Sequence, residues 1–428
     1  MNEDCFALKG DIAYGTLDKE IITLHKGYIV CENGKCAGVY KELPENYKDI
    51  PVTDYGDKLI VPGMTDLHVH APQYTFRGIG MDLELLDWLN RHTFPEESKY
   101  SDLVYAKQAY NFFTEDLRRC FTTRAVVFAT IHNEATIALM DMLEKSGMVT
   151  YVGKVNMDRN SVPRLTEESA EKSIDNTIEW LESISGCYEN TYPILTPRFI
   201  PSCSDKLMEK LGEIAKDREL RVQSHLSENP SEVAWVKELV PKADCYANAY
   251  EIFDTMGTPS SPTIMAHCVY SDEREMEILK NHGAYVAHCP DSNMNLTSGI
   301  APIRKFLDTG INVGLGTDVA AGSSMNMLKT MLCALQVSKM YYRLADSSVK
   351  ALSFEEVFYL ATLGGGSYFG KVGSFFEDYE FDAVVIDDSM MASMRDMSIR
   401  ERIERMVYND SDVFIHDKFV RGKRIFSK

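Results

Sequence analysis

Eight short apolar runs separated by amphipathic stretches, with β-rich segments at both chain ends, predict an α/β fold: a TIM-like (β/α)8 barrel with a small β-sandwich domain formed from both termini. The runs are almost continuously apolar, as parallel strands buried on both faces require. The stretches between them, such as DLVYAKQAYNFFTEDLRRC and SAEKSIDNTIEWLESI, have the spacing of helices that pack on a sheet. Polar residues fall mostly at the ends of the runs.

Taken in order, residues 1–62 read as the N-terminal part of the sandwich. Asn33-Gly34 is a two-residue hairpin signal, because both positions tolerate the positive φ of a type I′ turn. Cys31 and Cys36 flank that turn symmetrically and read as reduced thiols facing each other across it. Residues 63–370 are the barrel. Its candidate strands are LIVPGMTDLHVH, which begins just before that boundary, TRAVVFATIH, VTYVGKVNM, YPILTPRF, LRVQSHLS, TIMAHCV, AYVAHCP and INVGLGTD. A barrel of about 250 residues with insertions fits this span. Residues 371–428 return to β texture in FDAVVID and VFIHDKFVRGKRIF, with turns expected at His416-Asp417 and Arg421-Gly422, and rejoin the first strands.

The chain has 428 residues, of which 45% are hydrophobic and 25% charged, the balance of a folded globular protein. A net charge of −19 repels a phosphate backbone or an anionic membrane surface, which argues against nucleic acid and membrane as partners and for a small-molecule substrate. MNEDCFALKG has neither the basic region nor the apolar run of a secretory signal, and no segment is apolar for about 18 residues, so a cytoplasmic location is expected. The ten cysteines include no CxxC pair, which removes zinc knuckles and thioredoxin-like redox sites.

Chemistry concentrates at the strand ends. In a strand, residues i and i+2 share a face, so His68 and His70 present their imidazoles together. An isolated HxH reads better as two ordinary polar residues; the weight comes from repetition. His225 ends RVQSH, His267 ends TIMAH and Asp318 ends VGLGTD, and barrel strand ends converge on one mouth. Three or four imidazoles with one carboxylate form a donor set for a divalent ion, Zn²⁺ or Fe²⁺, with a position left open. Glu228, three residues after His225, reaches the same mouth at another angle and suits a proton shuttle; without a metal nearby it reads as a solvated residue at a helix start. Asp318 serves twice, as a ligand and as a proton acceptor. His132 and His288 also end strands, and spacing leaves them open as ligands, whereas His92 lies in a helical stretch and reads as structural. TPRF at the fourth strand end carries no lysine of the kind that binuclear barrels carbamylate, so one ion per subunit is expected.

This pattern resembles the amidohydrolase superfamily. HxxE on the fifth strand is similar to its deaminase branch, and PGMTDLHVHAPQY, DWLNRHTFPEE, FATIH, VNMDRN, TPRFIPSCS, HLSEN, AHCPDSNMNLTSG and VGLGTDVAAG resemble, in order, the guanine deaminase family. VGSFFEDYEFDAVVID extends the likeness into the C-terminal part. The resemblance implies that His68, His70, His225 and Asp318 hold the metal, that His267 hydrogen-bonds the reacting water, and that Glu228 shuttles protons. It implies that Gln73, Arg198 and Phe199 hold the purine, with His225, Glu228 and Asp318 also against the substrate, and that guanine and water react in a homodimer. Gln offers a donor and an acceptor, Arg donors to a carbonyl oxygen, and Phe a face for the ring. Phe121 and Arg124 stand where family members more often have small residues, and GTDVAAG departs slightly from the usual glycine-rich run.

The implied chemistry is hydrolytic: Asp318 and His267 take a proton from water, which attacks the carbon bearing the exocyclic amine, while Glu228 protonates the ring nitrogen and then the leaving amine. Deaminases with HxE and PCxxC are excluded, since Cys289-Pro290 is in the reverse order and has no second cysteine. Three readings stay open beside guanine. One is a related deaminase for 8-oxoguanine, a pterin or an aminotriazine, one a non-catalytic scaffold of the same fold, and one a phosphate-ester or amide hydrolase.

Overall fold

The apolar run that looks like one strand in the sequence, residues 59–70, breaks in the middle. The computed structural model, which describes residues 5–391 and 393–428, ends the strand Val52–Pro62 and starts a new one, Met64–His70, on the far side of Gly63. A Cβ on Gly63 would lie 2.1 Å from the Thr123 hydroxyl, so only glycine lets the chain cross there. The first strand belongs to a sheet built from both termini, and the second opens a series of parallel strands.

The terminal sheet has seven strands, in the order Lys423–Ser427, Phe414–Val420, Ala383–Asp387, Val52–Pro62, Cys5–Gly15, Ile21–Glu32 and Lys35–Tyr40. Asn33 and Gly34 take φ of 51° and 76°, as the hairpin reading requires, and Cys31 sits in register opposite Cys36, whose thiol donates to the Phe375 carbonyl at 3.2 Å. The two facing sheets expected of a sandwich are instead one hydrogen-bonded sheet. Bulges near Gly10 and Lys9 interrupt the register of the strand Cys5–Gly15, and such breaks let one sheet bend over a core of its own, which includes Leu8, Ile12, Ile29, Tyr55, Phe381 and Phe419. The turn expected at His416-Asp417 is also corrected. Both residues lie inside the strand Phe414–Val420, where Ile415 and Asp417 pair with Ile386 and Val385 and leave His416 as the bulged residue. The other expected turn, Arg421-Gly422, is present with φ of 49° and 75°.

Eight parallel strands form two four-stranded sheets. Met64–His70, Thr122–Phe128, Val149–Gly153 and Thr191–Pro193 make one; Gln223–Leu226, Ile264–His267, Tyr285–His288 and Asn312–Leu315 make the other. Backbone hydrogen bonds join the two at both sides. Gln223 N donates to Leu195 O at 2.9 Å on one side; on the other, Asp318 N donates to His68 O at 2.8 Å and His70 N to Val319 O at 3.1 Å. Leu67, Val126, Ile194, Ile264, Ala266, Tyr285 and Ala287 form a buried cluster between the sheets. Helices cover the outside. In Leu103–Arg119, Asp102 accepts the Val104 N–H at the N-terminus while Ala106, Ala109, Tyr110, Phe113 and Leu117 face the core at helical spacing. No described helix is long and apolar enough to cross a membrane.

Arg124, a departure from the family pattern, explains how the two parts are fastened. It is fully buried in the strand Thr122–Phe128, and its guanidinium donates to Asp382 at 2.7 Å and Glu380 at 2.6 Å, both from the C-terminal segment. Phe121 accepts the Met64 N–H through its carbonyl at 3.1 Å. Lys418, also buried, donates from Nζ to the carbonyls of Leu117, Cys120 and Thr122 at 3.2, 2.9 and 2.8 Å, closing the C-terminal end of Leu103–Arg119 with hydrogen-bond donors.

Removing one partner of a buried ion pair leaves the other charge uncompensated, so Arg124→Ala should cost about 3–5 kcal/mol in urea unfolding. A loss below 1 kcal/mol, about the worth of an exposed pair, would contradict the fastening role. Burial pushes the Lys418 ammonium down from 10.5 to about 7. The native state therefore binds fewer protons than the unfolded chain between those values, and this group's contribution to stability rises with pH across that window. Lys418→Met should remove that rise, read as a wild-type minus variant difference in unfolding free energy that grows from pH 7 to pH 10.

Candidate active site

The site begins with a slip in the sheet. The ladder between Met64–His70 and Thr122–Phe128 shifts register between Asp66 and Val69, so Val69 packs into the outer core while His68 and His70 share the opposite side. Asp66 holds this kink from below. Its carboxylate accepts the His68 N–H at 3.2 Å, the Thr317 N–H at 3.0 Å and the Thr317 hydroxyl at 2.5 Å, which ties the first parallel strand to the turn that carries Asp318. Gly316 permits the approach: a Cβ there would lie 2.9 Å from both His68 Cβ and Cys289 Sγ.

Four donors converge. His70 Nε2 lies 3.2 Å from His68 Nε2 and 3.2 Å from His225 Nε2, while Asp318 Oδ1 is 3.3 Å from His68 Nε2 and 3.5 Å from His70 Nε2. Donors about 2.0–2.1 Å from one ion, at the angles of about 90–120° of a four- or five-coordinate site, lie about 2.8–3.6 Å apart, so these separations are those of a ligand shell. His225 donates from Nδ1 to the Arg198 carbonyl at 2.6 Å; a carbonyl only accepts, so the Nε2 lone pair faces the cluster. Burial lowers the pKa of His68, and lowers those of His70 and His225 well below the usual range, with neighbouring imidazoles adding to the effect. Neutral imidazoles are what a cation needs. Burial pushes Asp318 up, but the His68 hydrogen bond and the favourable electrostatics of the His68 and His267 rings outweigh it and hold the carboxylate below its ordinary range. The donor set therefore fits a divalent ion.

Beside the shell, His267 donates from Nδ1 to Asn293 Oδ1 at 2.9 Å and aims Nε2 at Glu228 Oε2, 3.4 Å away, and Asp318 Oδ2, 3.7 Å away. His267 and Asp318 have φ of 75° and 49°, left-handed conformations uncommon outside glycine and concentrated at functional sites. Glu228 is not the solvated residue at a helix start. It is 3% exposed, precedes the helix Pro230–Leu239 and its cap Asn229, and accepts the Ser298 hydroxyl at 3.3 Å. Burial first, and the Asp318 charge second, raise its pKa well above the carboxylate range, which favours the protonated form.

Gln73, Arg198 and Phe199 line the same cavity as His70, His225, Glu228, His267 and Asp318, beneath Leu85, Trp88 and Leu89. The remaining histidines lie elsewhere. His132 precedes the helix Asn133–Ser146 as its N-terminal cap position, and His288 faces a different cavity beside Ile303 and Val337, because strand alternation turns Ala287 and Cys289 inward. Among the described residues neither joins a ligand cluster. His92 is half-buried against Gly80. Four polar residues at the site went unread in the sequence: Glu97, Glu232, Asn293 and Ser298. No local pattern marks them, because Glu, Asn and Ser are ordinarily exposed and only the folded chain shows these four buried.

The amidohydrolase family model matches residues 59–425. The chain belongs to the amidohydrolase family. Among amidohydrolases it is 38% identical over 380 residues to guanine deaminase of Homo sapiens, covering 86% of this chain and 83% of that one. It is 35% identical over 416 residues to guanine deaminase of Dictyostelium discoideum, covering 91% of each. A crystal structure of guanine deaminase from C. acetobutylicum, with bound guanine in its active site, superposes with a TM-score of 0.95 at 44% identity, over 99% of this amidohydrolase and 100% of that chain.

An ion that binds only the folded shell stabilises it by mass action, about 2.7 kcal/mol at a hundred times Kd. Zn²⁺ added to chelator-treated protein should therefore raise the melting temperature, and His68→Ala should abolish the shift. A shift that survives in His68→Ala would place the ion elsewhere.

Proposed function

We propose that this amidohydrolase is a guanine deaminase, converting guanine and water to xanthine and ammonia in purine catabolism or salvage. The observation that carries the reading is the shared cavity: His70, His225 and Asp318 of the converging donor set, the buried Glu228, and Gln73, Arg198 and Phe199 all line one space. The guanine-bound relative with 44% identity supports the same substrate.

In this reading His68, His70, His225 and Asp318 hold one divalent ion per subunit, Zn²⁺ or, since three imidazoles and a carboxylate accept it equally, Fe²⁺. When bound, the ion supplies the Lewis acidity that makes water nucleophilic at neutral pH. Phe199 offers a face to the purine, Arg198 donates to its carbonyl oxygen, and Gln73 pairs with a ring edge. Asp318 and His267 orient the water and take its proton. Glu228, whose protonated form burial favours, gives its proton to the ring nitrogen beside the carbon under attack, takes up the proton that Asp318 and His267 removed from the water and passes it to the departing amine, and regains a proton as the added hydroxyl becomes the carbonyl, so the ring accumulates no charge. The eight parallel strands close into a (β/α)8 barrel in this reading, which aims every one of these groups at one mouth. A cytoplasmic homodimer belongs to the same proposal and rests on the family resemblance.

Purified protein supplied with guanine should release xanthine and ammonia in equal amounts and be far less active on adenine, cytosine and isoxanthopterin. Glu228→Gln should keep its metal and lose turnover by about a hundredfold or more, the usual weight of a positioned acid and base. Arg198→Ala should act mainly on KM. No xanthine from the metal-loaded wild type would end the proposal, and normal turnover in Glu228→Gln would remove the proton shuttle.

A further inference from the structure

Glu97, at the end of the short helix Phe94–Glu97, is buried to 2% exposure, and its carboxylate accepts hydrogen bonds from two residues of the cavity. Gln73 Nε2 donates to it at 2.8 Å and Arg198 Nη1 at 2.7 Å. A carboxylate only accepts, so the Gln73 amide is forced to turn its nitrogen towards Glu97. Its oxygen then accepts the Ala320 N–H at 3.3 Å, which fixes the amide at both ends. One N–H and one lone pair of Gln73 are left over. Arg198 keeps the rest of its guanidinium donors, stacked 5.3 Å from the Phe94 ring, with its charge already matched.

We infer that Glu97 is the positioning residue that selects an uncharged lactam purine over an anionic one, by fixing the polarity of Gln73 and neutralising Arg198. An unpaired guanidinium in a buried cavity attracts an anion, because the charge has little water to screen it. Paired with Glu97, the same guanidinium serves as a hydrogen-bond donor to a neutral carbonyl. Glu97 also follows directly on the segment that supplies Leu85, Trp88 and Leu89 to the cavity, so the cover and the selective pair belong to one stretch of chain.

This rests on the reading of Gln73 and Arg198 as purine contacts. The test compares two competitive inhibitors in the metal-loaded enzyme: hypoxanthine, neutral at neutral pH, and urate, an anion under the same conditions. In Glu97→Gln, kcat/KM for guanine should fall about tenfold to a hundredfold, mostly through KM, with metal content unchanged. The ratio of the urate to the hypoxanthine inhibition constant should fall about tenfold, because the anion gains an unpaired partner while the neutral base loses an oriented one. A merely structural loosening weakens both inhibitors in parallel and leaves the ratio where it was; that result overturns the inference. Glu97→Asp keeps the charge with a shorter reach, so KM should rise with the ratio within about twofold of wild type; an unchanged KM, or a ratio shifted as far as in Glu97→Gln, also overturns it. Guanine turnover in the wild type and its weakening in Arg198→Ala test the underlying function separately, so those two intact with an unmoved ratio count against Glu97 alone.

Discussion

The joint between the first and last of the eight parallel strands is the constraint on which the rest depends. Two backbone hydrogen bonds, Asp318 N to His68 O and His70 N to Val319 O, and the Asp66 carboxylate that grips both His68 N and Thr317, hold residues some 250 positions apart in sequence at van der Waals distance. Asp66 is fully buried, and burial lifts its pKa to about 6, against the pull of the Thr317 and His68 hydrogen bonds. A carboxyl kept at that depth is tolerable only where hydrogen bonds from several donors repay its desolvation. His68 and Asp318 thus meet through a backbone that has almost no freedom to part.

Burial then sorts the ionisable groups by what they can do. The same removal from water that favours neutral His68, His70 and His225, able to offer lone pairs to a cation, raises the pKa of Glu228 and favours the form that can give a proton. Asp318 goes the other way because imidazoles surround it. On the substrate side one arginine is present, and its charge is met by Glu97 at 2.7 Å. The cavity is thereby divided into a half that favours a metal cation and a half built from matched hydrogen bonds, which is the division that hydrolysis of a neutral heterocycle needs.

The two chain ends contribute fastening rather than chemistry. Asp382 and Glu380 bind Arg124 within the second parallel strand, and Lys418 closes the end of the helix Leu103–Arg119 that leads into it. Both contacts lie at the opposite end of that strand from Phe128, whose ring packs 4.9 Å from His68 and 4.5 Å from His70. A rigid neighbouring strand keeps those imidazoles in their rotamers, so the terminal sheet bears on the site through packing.

What the sequence determined by itself was pattern and position. Apolar runs of strand length, Asn33-Gly34 at a hairpin, and His68, His70, His225, His267 and Asp318 at run ends are local facts, legible because side-chain alternation and turn sterics depend on near neighbours. The ordered motifs also made the family legible from end to end. Other features depended on partners far away in the chain. The break at Pro62–Gly63 is explained by Thr123, the bulge at His416 by the register against Ala383–Asp387, and Arg124 by Asp382 and Glu380. His288 looked equivalent to the other strand-end histidines until the inward turn of Ala287 and Cys289 faced it away from the mouth. Glu97 is the clearest case: its meaning lies in Gln73, 24 residues away, and Arg198, 101 away, both within hydrogen-bonding distance only once the strands are assembled. Sequence specifies which donors and acceptors exist; three-dimensional packing alone decides which of them share a buried carboxylate, because that choice is made by distance and desolvation.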